Sequence, residues 1–220
     1  MRRKSVVVLS ERFAKLSSVI SQYRVVSRLT DDLPMAMYSL SYGLGSKTDE
    51  PMSWIRLLNV IKNCADQFYY PVEHVAWAAD MGLLRLNSLP LWYFGDMLWL
   101  VSLTIGLVLS YVKWRAMALE RRRLRKQLRD VSRRVPGGAG EAAEAAEAER
   151  AEVRDQLTAW RGQKHALLLR VAKDVADLCC AIHWLPAGWL WAEKLPEELV
   201  GVLGATSGGL GLALLWPTTA

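Results

Sequence analysis

The sequence predicts an all-α membrane protein, with amphipathic helices in the N-terminal part and two transmembrane helices joined by a long charged helical loop. Residues 97–112, MLWLVSLTIGLVLSYV, carry no charge, and extending back to Leu91 adds only Asp96; such a run can cross a hydrocarbon core. Residues 199–216, LVGVLGATSGGLGLALLW, are also uncharged. Elsewhere apolar residues recur every three or four positions, the period of a helix with one apolar face. The expected organisation is an N-terminal amphipathic region (1–88), a first span (89–113), a charged loop (114–198), a second, glycine-rich span (199–216) and a short tail (217–220).

The 220 residues are 52% hydrophobic, which excludes disorder throughout. Their 28 Lys and Arg against 22 Asp and Glu give a net charge of +6, a balance that invites nucleic acid or anionic lipid as partner. Where that charge sits decides between them. Three cysteines, Cys64 and the adjacent Cys179 and Cys180, do not make the disulfide framework of a small secreted domain, so a reducing compartment is expected. Behind the basic start MRRK, the apolar run at 6–9 is too short for the core of a secretory signal, and none is expected.

Along the chain, residues 9–30 place Phe13, Leu16, Val19, Ile20, Tyr23 and Val26 on one helical face, with Lys15, Arg24 and Arg28 on the other. Such a basic amphipathic helix either buries its apolar face in a bundle or lies in a membrane surface with its cations at anionic headgroups. A second helix is expected over 51–69, opening on proline and carrying Trp54, Leu57, Leu58, Ile61, Cys64, Ala65 and Phe68 on one stripe. Gly43 and Gly45 supply a turn between the two, so a hairpin is expected. Pro71 should end the second helix before a short third one at 72–81.

In the first span, Trp92, Tyr93 and Trp99 lie toward one end and Tyr111 and Trp114 toward the other, as aromatic residues do at two membrane interfaces. Asp96 is expected at headgroup depth with its carboxylate reaching water. A buried helix of a soluble bundle is the competing reading. Beyond it, 113–134 hold ten Lys and Arg against Glu120 and Asp130, a local +8 that exceeds the charge of the whole chain. A solvated helix, an anchor to anionic lipid and a docking signal for an insertion receptor all fit this block. Nucleic acid is not expected, since no reader fold or ladder of stacking aromatics accompanies it.

Residues 136–140, PGGAG, punctuate the chain, and the Ala and Glu tract that follows reads as a charged helical spacer. An amphipathic pattern returns at 167–182, and Trp184, Trp189 and Trp191 beside prolines fit an interfacial entry to the second span. In that span Gly204 and Gly208 form a GxxxG, repeated by Ala205 and Gly209, the small-residue spacing that lets a second helix approach closely.

Chemistry is not encoded in any recognisable constellation. His74, His165 and His183 are scattered, the paired cysteines lack metal-ligand spacing, and no phosphate loop, nucleophile elbow or dinucleotide turn occurs. No enzyme activity, metal or cofactor is expected.

The strings NCADQFYYP at 63–71, EHVAWAAD at 73–80 and HWLP at 183–186, with Asp31-Asp32-Leu33 and Tyr42-Gly43-Leu44-Gly45, resemble the peroxin-11 family of peroxisomal membrane proteins, its gamma type in particular. The resemblance runs from about residue 20 to 113 and again from about 167 to 212. It implies a multi-pass protein of the peroxisomal membrane with both termini in the cytosol. Such a protein self-associates, pairs with other peroxin-11 types, elongates the membrane through an inserted amphipathic helix and promotes peroxisome fission by recruiting fission-factor adaptors. An oligomeric metabolite pore and a pure adaptor are the alternatives. Two departures are visible: MRRKSVVVL stands in place of part of the family's front region, and the Ala and Glu tract at 141–149 is a local elaboration.

Charge and resemblance disagree over topology. Eleven Lys and Arg precede the first span and 17 lie between the spans, which by the positive-inside rule would put the loop in the cytosol. The resemblance implies the reverse, through an import receptor that reads a basic cluster beside a span; Arg121, Arg122, Arg123, Arg125 and Lys126 are the residues expected to serve it.

Overall fold

The computed structural model describes residues 32–43, 52–134 and 141–215, together with the isolated helical positions Val19, Tyr23 and Val26. Five helices account for almost all of it: α1 (Asp32–Tyr42), α2 (Ser53–Asp80), α3 (Leu89–Arg134), α4 (Glu141–His183) and α5 (Glu197–Leu215). No strand occurs among the described residues, and the protein is an all-α membrane protein.

The chain separates into two compact units. The first holds α1, α2, residues 89–102 of α3 and residues 181–194. Here the Ser39 hydroxyl lies 2.8 Å from Asn63 Oδ1 and 3.0 Å from Gln67 Oε1, tying α1 to α2. Helix α2 ends in a Schellman motif: Leu83 N–H donates to Ala78 O, Gly82 N–H donates to Ala79 O, and Gly82 adopts φ +72°, a conformation glycine takes without strain. The Trp92 indole N–H donates to Asp80 Oδ2 at 2.8 Å, holding the end of α2 to the start of α3. Gly95 of α3 lies against the Tyr69 ring, 3.8 Å from where a Cβ would stand. Trp184 stacks on Trp99 with ring centroids 5.9 Å apart, and Glu193 N–H donates to His183 O to close the 184–193 turn.

Pro71 does not end the second helix. Helix α2 continues through it to Asp80, so no separate helix stands at 72–81. A mid-helix proline removes one backbone bond at a cost of about 3 kcal/mol or more. Contacts on both sides offset that cost: Ala65 is buried on one side, Glu73 and Ala76 on the other, and the Tyr69 hydroxyl donates to Glu73 Oε1 across the proline at 2.8 Å.

The second unit contains residues 103–180 and α5. Most of its buried positions follow a rule. On α3 they are Leu103, Ser110, Met117, Leu124 and Val131, and on α4 as far as Leu167 they are Ala146, Val153, Trp160 and Leu167, each seven residues from the next; Ala176 and Cys180, toward the end of α4, fall outside it. Half-buried Leu107, Arg121 and Leu128 on α3, and Arg150, Leu157, Lys164 and Val171 on α4, fall between them at four-then-three spacing. This is the heptad of a coiled coil, whose 3.5-residue repeat keeps one seam facing the partner helix. The pairing is antiparallel, since Trp160 meets Met117 and Arg121 while Lys164, one turn later, meets Trp114. The basic block, for which a solvated helix was one of three readings, and the expected charged spacer therefore form a helical hairpin with its own core of Met117, Trp160, Leu167 and Val171.

Candidate functional site

Among the described residues no group of His, Cys, Asp or Glu is arranged to hold a metal ion; the candidate functional features are surfaces. Two helices, α3 and α5, are long and apolar enough to cross a membrane. Their burial distinguishes them from soluble core helices, with 22% of the apolar window buried in α3 and 6% in α5. The pattern is inverted relative to a water-soluble protein. Phe94, Val101, Val108 and Tyr111 face outward on α3 while Gly95, Ser102, Leu103 and Ser110 are buried; on α5, Leu199, Val202, Leu212 and Leu215 are exposed while Ser207 is buried. Small and polar residues inward with large apolar ones outward is the arrangement lipid favours, because close helix approach and interhelical hydrogen bonds hold the bundle together. Trp114, at the far end of the α3 span, is exposed. Asp96 is half-buried rather than free in water and stands within electrostatic reach of the buried Glu73.

Of the amphipathic face in 9–30, Val19, Tyr23 and Val26 are helical and exposed, at 62%, 71% and 43%. Their spacing of four and three puts them on one stripe. Phe13, Leu16, Ile20 and the cations Lys15, Arg24 and Arg28 lie outside the described residues. A second apolar stripe stands open on α2, where Trp54, Leu57, Ile61, Phe68 and Val75 are exposed at helical spacing, with Cys64 among them. The partner this stripe was expected to pair with in a hairpin, the helix at 9–30, lies almost wholly outside the described residues. Between α1 and α2 the Ser39 hydroxyl makes polar contacts, and Leu33, Met37, Tyr38 and Leu40 of α1 are exposed as well.

The five cations of the expected receptor cluster divide. Arg121 turns inward, its guanidinium 4.9 Å from the centre of the Trp160 ring, while Arg122, Arg123, Arg125 and Lys126 are exposed. On α5, Gly204 and Gly208 have open space where a Cβ would stand, as does Gly209, and Ala205 is exposed. The side of α5 that is occupied is a different one, marked by buried Ser207, by Gly211 against the Lys173 side chain and by the Cys180 thiol donating to Val200 O at 3.9 Å. Burial, with Asp177 and Cys179 adding to it, pushes the Cys180 thiol above its ordinary range; it packs as a small apolar side chain.

The sequence marks Trp114 only as an interfacial aromatic, and Trp160 and Lys164 carry no motif. The signal that would have found them is the seven-residue recurrence running through the basic block and the Ala and Glu tract. Trp160 is 9% exposed and its indole N–H donates to Met117 O at 2.8 Å. Lys164 Nζ lies 5.7 Å from the Trp114 ring centre and 5.9 Å from that of Trp160.

Comparison with known proteins bears on all of these surfaces. The family described as Peroxisomal biogenesis factor 11 matches residues 2–216. Among curated proteins, peroxisomal membrane protein 11C of Homo sapiens is 36% identical over 201 residues, covering 91% of this chain and 74% of that protein. Peroxisomal membrane protein 11C of Mus musculus is 36% identical over 199 residues, covering 90% and 73%. No solved structure matches. With two membrane-spanning helices and a family match from one end to the other, the chain belongs to the peroxisomal biogenesis factor 11 family.

Proposed function

We propose that this protein remodels the peroxisomal membrane, drawing it into protrusions, elongating it and so promoting division. The observation that supports this most is the set of apolar side chains held outward on helices other than the two spans: Val19, Tyr23 and Val26, and the α2 stripe from Trp54 to Val75. A helix that seats such a face among the headgroups expands one leaflet relative to the other, and many copies side by side bend the sheet. In the N-terminal segment Phe13, Leu16 and Ile20 complete the inserting face, and Lys15, Arg24 and Arg28 meet anionic headgroups.

Concentrating the wedges requires self-association. The open side of α5, with Gly204, Ala205, Gly208 and Gly209, is suited to a second copy of this chain or to another peroxin-11 type. Both termini then lie in the cytosol, where fission-factor adaptors dock, and the basic cluster is read by the import receptor before insertion. Because Arg121 is engaged by Trp160, that reading falls mainly to Arg122, Arg123, Arg125 and Lys126. Neutralising these four by glutamine is expected to leave the chain mislocalised when it is tracked by fluorescence microscopy against a peroxisomal marker; undiminished delivery would remove the targeting role.

The remodelling role is tested by reconstituting the purified chain into vesicles containing anionic lipid and imaging them by cryo-electron microscopy. Tubules that lengthen with protein density are expected. Vesicles that stay round at every density would contradict the proposal.

A further inference from the structure

A cavity of about 280 Å3 opens on the hairpin between α3 and α4. Its wall carries four cations, Arg121, Arg122, Arg125 and Lys164, beside two indole rings, Trp114 and Trp160. None of the lining residues is acidic. Four like charges around one hollow repel one another, and nothing in the wall itself neutralises them. The rings hold two of the cations in place: Arg121 lies 4.9 Å from the Trp160 centre, and Lys164 sits between Trp160 and Trp114. Trp160 is in turn fixed by its bond to Met117 O. A solvated cationic helix would not build such a frame; here two of the four cations are held in place before any ligand arrives.

Depth identifies the ligand. Trp114 is two residues beyond Val112, the last residue of the uncharged run, so the mouth of the cavity begins at the headgroup boundary. Arg125 lies thirteen residues past Val112, roughly 20 Å along the helix axis. The volume is at the small end for ligand pockets and suits a headgroup rather than a whole lipid. Guanidinium forks match phosphate oxygens two at a time, and a lysine adds a point charge. We infer that this cavity is a binding site for the phosphate group of an anionic lipid headgroup, clamped by Arg121, Arg122, Arg125 and Lys164 at the root of the hairpin. It uses none of the residues of the N-terminal amphipathic face, so it stands or falls separately from the remodelling proposal.

The test is calorimetric titration of the full-length chain, purified in a neutral detergent, with dioctanoyl phosphatidic acid. Saturable binding is expected, with none for dioctanoyl phosphatidylcholine. Lys164→Gln and Arg125→Gln should each weaken binding about tenfold, the loss of a charge-assisted hydrogen bond, with helicity by circular dichroism unchanged. Lys164→Arg should retain it. The double variant Arg129→Gln, Arg133→Gln removes two cations from the same helix outside the cavity and should bind as the parent does. Equal weakening in that double variant would reduce the effect to diffuse charge and overturn the site. Glycerol 3-phosphate or inorganic phosphate binding as tightly as the lipid would overturn the lipid assignment, because the source would then be a soluble phosphate.

Discussion

Replacing Trp160 with alanine is expected to open the hairpin between α3 and α4. The indole is 9% exposed, packs in the cluster with Met117 and Leu167, donates to Met117 O and carries Arg121 and Lys164 on its faces. Truncating a buried aromatic of this size costs about 3–5 kcal/mol. The loss falls at the middle of the heptad seam, whose neighbouring layers hold smaller aliphatic side chains such as Leu124, Val153 and half-buried Leu157. Limited proteolysis of the reconstituted chain should cut within 113–134 and 141–180 far faster than in the parent, while α5, stabilised by lipid rather than by this core, stays protected. Trp160→Phe keeps a six-membered aromatic ring but loses the pyrrole ring with its N–H bond, so it should cost more than a lost hydrogen bond and less than the alanine change. Cleavage of the alanine variant at the parent's rate would mean that the two helices do not depend on one another.

The second large effect concerns the N-terminal face. Changing Phe13, Leu16 and Ile20 together to glutamate is expected to abolish tubule formation by the reconstituted chain while leaving it embedded. Seating three large apolar side chains contributes about 4–9 kcal/mol to membrane binding of the segment, and the glutamates add repulsion from anionic headgroups. The two spans contain none of these positions, so insertion itself should persist. Carbonate extraction and cryo-electron microscopy separate the two readouts. Tubulation by the triple variant would shift the bending role to the open stripe on α2 or to crowding alone.

Fold class and both spans were legible because lipid imposes a plain compositional rule: residues 97–112 and 199–216 carry no charge. The hairpin was not legible for a physical reason. Its seam mixes Ser110, Arg121, Arg150 and Lys164 with apolar residues, so the seven-residue repeat is hidden in a stretch dominated by charge. Long cationic side chains bury their stems and keep their heads at the edge, which lets Arg121 and Lys164 occupy seam positions that a hydrophobicity pattern would score as surface. Pro71 misled in the opposite direction. Proline is a strong local stop, but packing at Ala65 and Ala76 and the Tyr69 to Glu73 bond hold α2 together across it. Of the candidate surfaces, the small-residue side of α5 stands open, with no helix of this chain on it among the described residues, whereas the inward turn of Arg121 depends on Trp160, 39 residues away in the chain. The seven-residue recurrence marks each helix as part of a seam, but which residues meet across it at that separation is not written in local periodicity.

The central claim, that this chain acts on the shape of the peroxisomal membrane, is tested most directly by producing it in cells with its own N-terminus and imaging peroxisomes beside the Phe13, Leu16 and Ile20 glutamate variant. The account predicts that the parent chain localises to peroxisomes, resists carbonate extraction and turns round organelles into elongated ones, and that the variant localises without elongating them. Parent chain residing in the peroxisomal membrane while the organelles keep their shape would contradict it.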